Sequence, residues 1–301
     1  MIDAPTQKNR VYGTICGISC SVGLGLAVAL GRIAFEDGTT PLTVGLSRSA
    51  LSIPLFALLC LIAGQSLKLP RAVWPHMIFL GVLFSHMATG NVGATKYIQV
   101  SLAALLFFIY PPMVALLNAM IDRNSPGLVK MTAMLISFLG IAVMLGVEFQ
   151  TLDYTGVLMG LTAGLACAGN IILVIRKVPD LHPFVIVFYQ SIIATVILGI
   201  LTFQFDEFRL PDFASGWWGF GLIIALQSFS IPLYYFSIQR IGTEPAAMLN
   251  NLQPVASIFC AIILFQEPFT PDRILGGTMV LGGILLMQWN DRRYNVAPDR
   301  A

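Results

Sequence analysis

The sequence predicts an all-α membrane protein of ten transmembrane helices, arranged as two inverted five-helix repeats. Three observations predict it. The 301 residues are 56% hydrophobic and only 11% charged, with a mean hydropathy of +0.81, whereas soluble domains carry about 25% charged residues. Apolar runs recur along the chain between short polar clusters, most of them reaching the roughly 20 residues that a helix needs to cross a ~30 Å hydrocarbon core. A shift of 143 positions lays the second half on the first without a gap. It pairs Gly13 with Gly156, Gly17 with Gly160, Trp74 with Trp217, Ser85 with Ser228, Ile98 with Ile241, Pro111 with Pro254, Gly140 with Gly283 and Met144 with Met287. Such a period in an apolar chain marks a duplicated membrane protein.

Taken in order, residues 1–10 form a polar lead containing Lys8 and Arg10. The first span is 11–34. Its apolar run exceeds the 7–15 residues of a signal-peptide core, and a copy recurs at 153–175, where no signal can stand. Further spans follow at 41–63, 73–95, 100–121, 128–147, 154–175, 183–203, 216–238, 243–265 and 273–289. The first repeat is therefore 11–147, the second 153–289, and 290–301 a polar tail. Because each repeat has an odd number of spans, the second enters the membrane from the opposite side, and the repeats are inverted.

The basic residues set the orientation. With the N-terminus in the cytoplasm, twelve of the 17 lysines and arginines fall in inner segments, four (Arg32, Lys96, Arg209, Arg273) in outer ones, and Arg48 within a span. This obeys the positive-inside rule, so both termini are expected in the cytoplasm of a multi-pass membrane protein. Trp74 and Trp217, near helix starts, read as interface anchors.

Several classes are excluded. The charges sit in short clusters between spans, and the net charge of +2 gives no basis for nucleic-acid binding. All five cysteines lie in apolar runs, and the three histidines show no metal spacing. There is no GxxxxGK[ST], GxSxG or HExxH motif, and no Asp or Glu deep in a span. No catalytic residue, cofactor or metal is expected.

Polar groups inside a bilayer need partners and are commonly functional. Arg48 is the one charge well inside a span. It reads either as a fixed cation for a carboxylate or other anionic group, or as an arginine bonded to backbone carbonyls or snorkelling outward. Pro111 and Pro112 in the fourth span, and Pro254 in the ninth, remove helix hydrogen bonds and free the carbonyls of Phe107, Phe108 and Asn250. Tyr110, Asn250, Asn251 and Gln253 lie around these kinks. Broken helices at matching places in two repeats point to a transport site, although asparagines also serve as interhelical glue. His86, Asn91, Asn170, Tyr189, Gln190, Gln227 and Tyr234 are further candidates to line a cavity, each equally well read as an interhelical bond.

The second copy carries Tyr235-Phe236, Glu244-Pro245-Ala246-Ala247, Leu252-Gln253-Pro254-Val255, Glu267 and Gly282-Gly283. In this order the chain resembles the EamA-type members of the drug/metabolite transporter superfamily, over residues 11–289. It departs from them at Gln266, where the family commonly has the glycine of a Gly-Glu turn, and at Asn124, which holds the glutamate's place in the first copy. Arg48 matches an arginine frequent early in that family's second helix. The resemblance implies an inner-membrane secondary carrier, exporting or exchanging small metabolites such as amino acids or related carboxylated compounds by alternating access. Its partners would be the lipid bilayer and a small-molecule substrate, and it would act as a monomer or homodimer. The alternatives are a carrier of other solutes such as vitamins or drugs, and a non-transport membrane protein.

Overall fold

The computed structural model describes residues 7–94, 97–98, 100–123, 127–146, 153–205, 208–266 and 270–295. Among them there are helices and no strand. The first repeat folds into α1 (Gln7–Glu36), α2 (Pro41–Ile62), α3 (Trp74–Ala94), α4 (Val100–Phe107), α5 (Tyr110–Asp122) and α6 (Leu128–Met144). The second folds into α7 (Tyr154–Lys177), α8 (Pro183–Gln204), α9 (Ala214–Ile241), α10 (Thr243–Asn250), α11 (Leu252–Phe265) and α12 (Pro271–Asn295). The protein is a multi-pass membrane protein. Seven described stretches are long and apolar enough to cross a bilayer: Asn9–Glu36, Pro41–Ile62, Leu102–Asp122, Tyr154–Lys177, Pro183–Gln204, Ala214–Ile241 and Thr243–Leu264. Leu128–Met144 is apolar but shorter. Leu61, Leu128, Leu158, Phe203 and Trp218 are exposed, as expected of side chains whose solvent is lipid.

Local chemistry sets several helix starts. Thr40 accepts the N–H of Thr43 at 3.2 Å ahead of Pro41, and Asp153 accepts that of Thr155 at 2.7 Å. His182 Nδ1 accepts the N–H of Phe184 at 3.3 Å ahead of Pro183. Such side chains occupy backbone donors that have no helical partner. Asp153 titrates below the ordinary carboxylate range because the Thr155 amide stabilises its charged form. His182 titrates below its usual value, first through burial and second through the nearby Arg240 cation.

Both proline-bearing stretches expected to break are interrupted helices. The fourth is interrupted between α4 and α5 at Phe108 and Ile109, and the ninth between α10 and α11 at Asn251. Phe108 and Asn251 are 143 positions apart. Ile109 (φ −71°, ψ −11°) and Asn251 (φ −64°, ψ −9°) stay near helical geometry. Each interruption is thus a tightened turn and not an excursion, as expected where a nearby proline withholds its donor. Both broken spans also end alike: Arg123 (φ 51°) and Gln266 (φ 53°), again 143 apart, adopt the left-handed conformation.

Packing between the repeats exchanges under the same shift. α1 packs on α9 as α7 packs on α3, α1 on α10 and α11 as α7 on α4 and α5, and α2 on α9 as α8 on α3. α2 with α8, and α6 with α12, are self-paired. This is the pattern of a pseudo-two-fold. Small residues make it possible, since helices in lipid associate by close van der Waals contact. A Cβ on Gly13 would come within 2.8 Å of Arg240 and Ile241, and one on Gly156 within 2.8 Å of Tyr97 and 2.9 Å of Ile98. At the α6–α12 crossing a Cβ on Gly140 would stand 2.7 Å from the Gly276 carbonyl, and one on Gly283 2.6 Å from that of Ala133. Gly277 and Gly282 meet nothing within 4 Å, so only half of the glycines of α12 serve packing.

Candidate functional site

The buried polar side chains gather where the two repeats meet, in two neighbouring groups bridged by the consecutive tyrosines of α9. Tyr235 anchors the first. Its hydroxyl lies 2.7 Å from Gln190 Oε1 on α8 and 3.0 Å from Asn170 Oδ1 on α7, and Asn170 Nδ2 donates to the Leu80 carbonyl at 3.1 Å. Arg48 on α2 belongs to this group and is only 6% exposed. Its guanidinium carbon stands 5.0 Å from the centroid of the Phe84 ring. One turn on, Ser52 shares a 3.1 Å hydrogen bond with Ser228 of α9.

The second group surrounds the broken spans. Tyr110, fully buried at the start of α5, donates to the Ala247 carbonyl at 3.3 Å and neighbours Asn250 and Tyr234. Ser21 on α1 lies 3.0 Å from the Leu249 carbonyl and 3.4 Å from Asn250 Oδ1. Its counterpart 143 positions on is Gly164, where a Cβ would sit 3.0 Å from the carbonyls of Leu106 and Phe107. In each repeat, a small residue of the other repeat's first helix therefore covers the carbonyls beside the break. Asn251 donates to Ser137 Oγ of α6 at 2.9 Å. Pro111 and Pro254 are buried beside the breaks, and Pro112 is partly buried.

Several of these atoms are buried without a hydrogen-bond partner among the described residues: Arg48 Nε, Gln190 Nε2, the Tyr234 hydroxyl, Ser49 Oγ, Ser237 Oγ and Asn251 Oδ1. An open buried polar group costs about 1–3 kcal/mol, and native proteins keep few of them. Arg48 Nε and Gln190 Nε2 are donors flanking the same tyrosine. Together they suit an acceptor such as a carboxylate oxygen.

The remaining sequence candidates are placed elsewhere. His86 is exposed on the α3–α7 seam, with Nε2 3.2 Å from Thr162 Oγ1. Tyr189 donates to the Leu67 carbonyl and meets Trp74 edge-on at 5.2 Å, at the helix end and away from the polar groups. Gln227 and Gln253 are partly buried, and the Gln253 carbonyl stands 2.6 Å from where a Gly25 Cβ would be. Asn91 lies on α3, with its side chain outside the described residues. Sequence reasoning missed Tyr235 and Ser21 as members of the site. Ser21 had a signal, because it continues the Gly13–Gly17 step by one more turn on the same helix face. Tyr235 also had one, seven residues after Ser228 on α9.

Comparison with known proteins agrees with this architecture. Residues 11–146 and 154–289 each match the EamA-like transporter family. The uncharacterized transporter sll1319 of Synechocystis sp. is 28% identical over 208 residues, 64% of this chain and 60% of that protein. The uncharacterized inner membrane transporter YhbE of Escherichia coli K12 is 24% identical over 137 residues, 44% of this chain and 42% of that protein. The chain thus matches less than two thirds of either relative's length. A solved crystal structure at 17% identity superposes with a TM-score of 0.76, over 93% of this chain and 98% of the other. At that identity the likeness shows the fold alone.

Proposed function

This chain belongs to the EamA-like transporter family, and from that premise we propose that it is a secondary carrier of amino acids or related carboxylated metabolites. It exports or exchanges them across the cell inner membrane by alternating access. Each five-helix unit, 11–147 and 153–289, moves against the other about the two breaks, with ten spans in all and both termini in the cytoplasm. Lysine and arginine distribution supports that orientation. The exchange of packing partners under the 143-residue shift supports the mechanism, because two similar halves can adopt each other's conformation.

One observation carries the substrate class. Arg48 is buried at the junction of the repeats with an open Nε, and it takes no part in the Lys130–Glu244 or Asp122–Arg176 ion pairs. A charge retained under those conditions is matched by something that arrives, and a carboxylate matches the planar guanidinium with two parallel bonds. Gln190 Nε2 adds a second open donor, and the carbonyl-rich group around Asn250 and Ala247 offers acceptors to an ammonium group.

Binding and counterflow measured in proteoliposomes with Arg48 variants test this. Arg48→Gln loses a charge-assisted bond worth about 1.5–3 kcal/mol, or roughly tenfold or more in affinity for a carboxylated substrate. Arg48→Lys keeps the charge but loses the two-pronged geometry, and falls between wild type and Arg48→Gln. Unchanged affinity in well-folded Arg48→Gln protein, or wild-type preference for permanent organic cations, sinks the assignment.

A further inference from the structure

Between transport events the charge of Arg48 still needs a counterpart. Arg48 lies about two turns into α2, and α2 packs on α3, α8 and α9. These four helices contain no Asp or Glu anywhere in their length. Neither does α7, which brings Asn170 to the same polar group. No helix around the guanidinium therefore offers it a carboxylate. Phe84 stands 5.0 Å from the guanidinium carbon. An aromatic ring attracts a cation through its face, but it supplies no net negative charge and leaves Nε open.

The other open donor of this group is Gln190 Nε2, on a side chain with no exposed surface. Its Oε1 is 2.7 Å from the Tyr235 hydroxyl, and Arg48 is the charged neighbour of that hydroxyl. A cation and an amide donor thus stand open beside one tyrosine. An unpaired buried charge costs far more than an unpaired neutral group. Neutrality sets the charge of what would match it. One guanidinium is balanced by one negative charge, whereas a divalent anion would leave a net charge in a low-dielectric site. Arg48 is only 6% exposed, so an arriving ion must shed most of its water. That cost falls as an ion grows and its charge drops, which favours chloride over fluoride, sulfate or phosphate.

We infer that Arg48 Nε and Gln190 Nε2 hold a chloride ion while no substrate is bound. The inference rests on Arg48 acting as an anion-binding cation, as in the carboxylate reading above. An anion accepts from Nε2 and repels Oε1, so chloride also selects the amide orientation in which Gln190 Oε1 takes the Tyr235 proton. Where substrate brings a carboxylate, it enters by displacing the ion. Chloride is then a competitor, and the side of the membrane richer in it shows the weaker apparent affinity for substrate.

The test uses the full chain in phosphatidylcholine nanodiscs, with potassium fluoride holding the ionic strength while potassium chloride is titrated in. Chlorine NMR line broadening reads binding, and thermal unfolding reads its linkage to the fold. The expected result is a broadening that saturates, with a rise in the unfolding midpoint that sulfate does not reproduce. Arg48→Gln should lower chloride affinity roughly tenfold or more, and Gln190→Met severalfold. Lys68→Gln removes an exposed cation and should leave it unchanged. Acetate serves as the carboxylate probe. At about ten times its own dissociation constant, it should raise the apparent dissociation constant of chloride about 11-fold. A wild type with no saturable broadening overturns the inference, and if it still binds acetate the carboxylate reading survives alone. Unchanged chloride affinity in folded Arg48→Gln overturns it as well. Should Arg48→Gln fail to fold, unchanged affinity in Gln190→Met does the same. Chloride that binds through Arg48 but resists acetate would support the chloride site and remove the carboxylate reading.

Discussion

The hydrogen-bond arithmetic around Tyr235 makes Gln190→Met the most decisive substitution. Tyr235 has one hydroxyl proton, and two amide oxygens lie within reach of it, Gln190 Oε1 at 2.7 Å and Asn170 Oδ1 at 3.0 Å. Asn170 is fixed in orientation because its nitrogen donates to the Leu80 carbonyl. The proton cannot serve both oxygens, so one carries a short contact without a full hydrogen bond. Turning the Gln190 amide over would let Nε2 donate to the tyrosine oxygen, but Oε1 would then take the open position. In either orientation one end of the Gln190 amide is buried and unsatisfied. Methionine has similar length and removes that group. The fold should then lose a hydrogen bond worth about 0.5–1.5 kcal/mol and be relieved of a penalty of about 1–3 kcal/mol. Thermal unfolding should stay level or move upward, while affinity for a carboxylated substrate falls roughly tenfold. Tyr235→Phe leaves both amides unserved, and should cost about 1–3 kcal/mol of stability as well as affinity. If Gln190→Met unfolds earlier and binds substrate normally, the glutamine is interhelical glue and the reasoning fails.

Other outcomes follow from the same structure. Gln266 holds a left-handed φ of 53° without being glycine, so Gln266→Gly should raise the unfolding midpoint by the equivalent of roughly 0.5–1 kcal/mol, and a drop would show that its side chain contributes more than its backbone costs. Gly140→Ala would set a Cβ 2.7 Å from the Gly276 carbonyl and should cost about 1–3 kcal/mol. Gly282→Ala, which meets nothing within 4 Å, should be neutral or stabilising by up to about 1 kcal/mol; the pair is compared by thermal unfolding in one detergent. His182 caps α8 through an unprotonated Nδ1, and its folded pKa lies below the unfolded value. Its contribution is therefore fully present above the unfolded pKa of about 6.5 and declines as pH falls through that value toward the lowered one. His182→Asn should flatten the dependence of the unfolding midpoint between about pH 7.5 and 5.5.

How much of this was legible in the sequence depends on what is repeated in it. Gly13 and Gly156 announce a close crossing by their spacing and their match, and each contacts the counterpart of the other's neighbour. The prolines announce the breaks because a missing N–H acts locally, whatever surrounds it. What stayed hidden are features in which the halves differ. Ser21 faces the Leu249 carbonyl beside the break where the other half has Gly164, and Tyr235 reaches two amides on helices 45 and 65 residues away in sequence. Asn250 and Asn251 looked equivalent in the sequence, yet one turns to Ser21 and the other to Ser137. His86 looked as suitable as Gln190, but helix phase turns it outward.

This division has a physical basis in how a duplicated carrier works. Residues that build the scaffold act on both halves through the same backbone geometry, so selection for the fold keeps them paired and visible as a repeat. A solute that lacks two-fold symmetry does not share that relation between the halves. Recognition of such a solute must therefore draw on residues that break the repeat. Arg48, whose position in the second copy is Ser191, and Glu244, whose position in the first is Ser101, both do so. Departures from the 143-residue match that are also buried or bonded across the repeats are thus the first positions to test for a functional role. By that criterion Gln190, matched by Ser47, and Tyr235, matched by Val92, rank with Arg48 ahead of the symmetric proline breaks as positions to test for substrate selection.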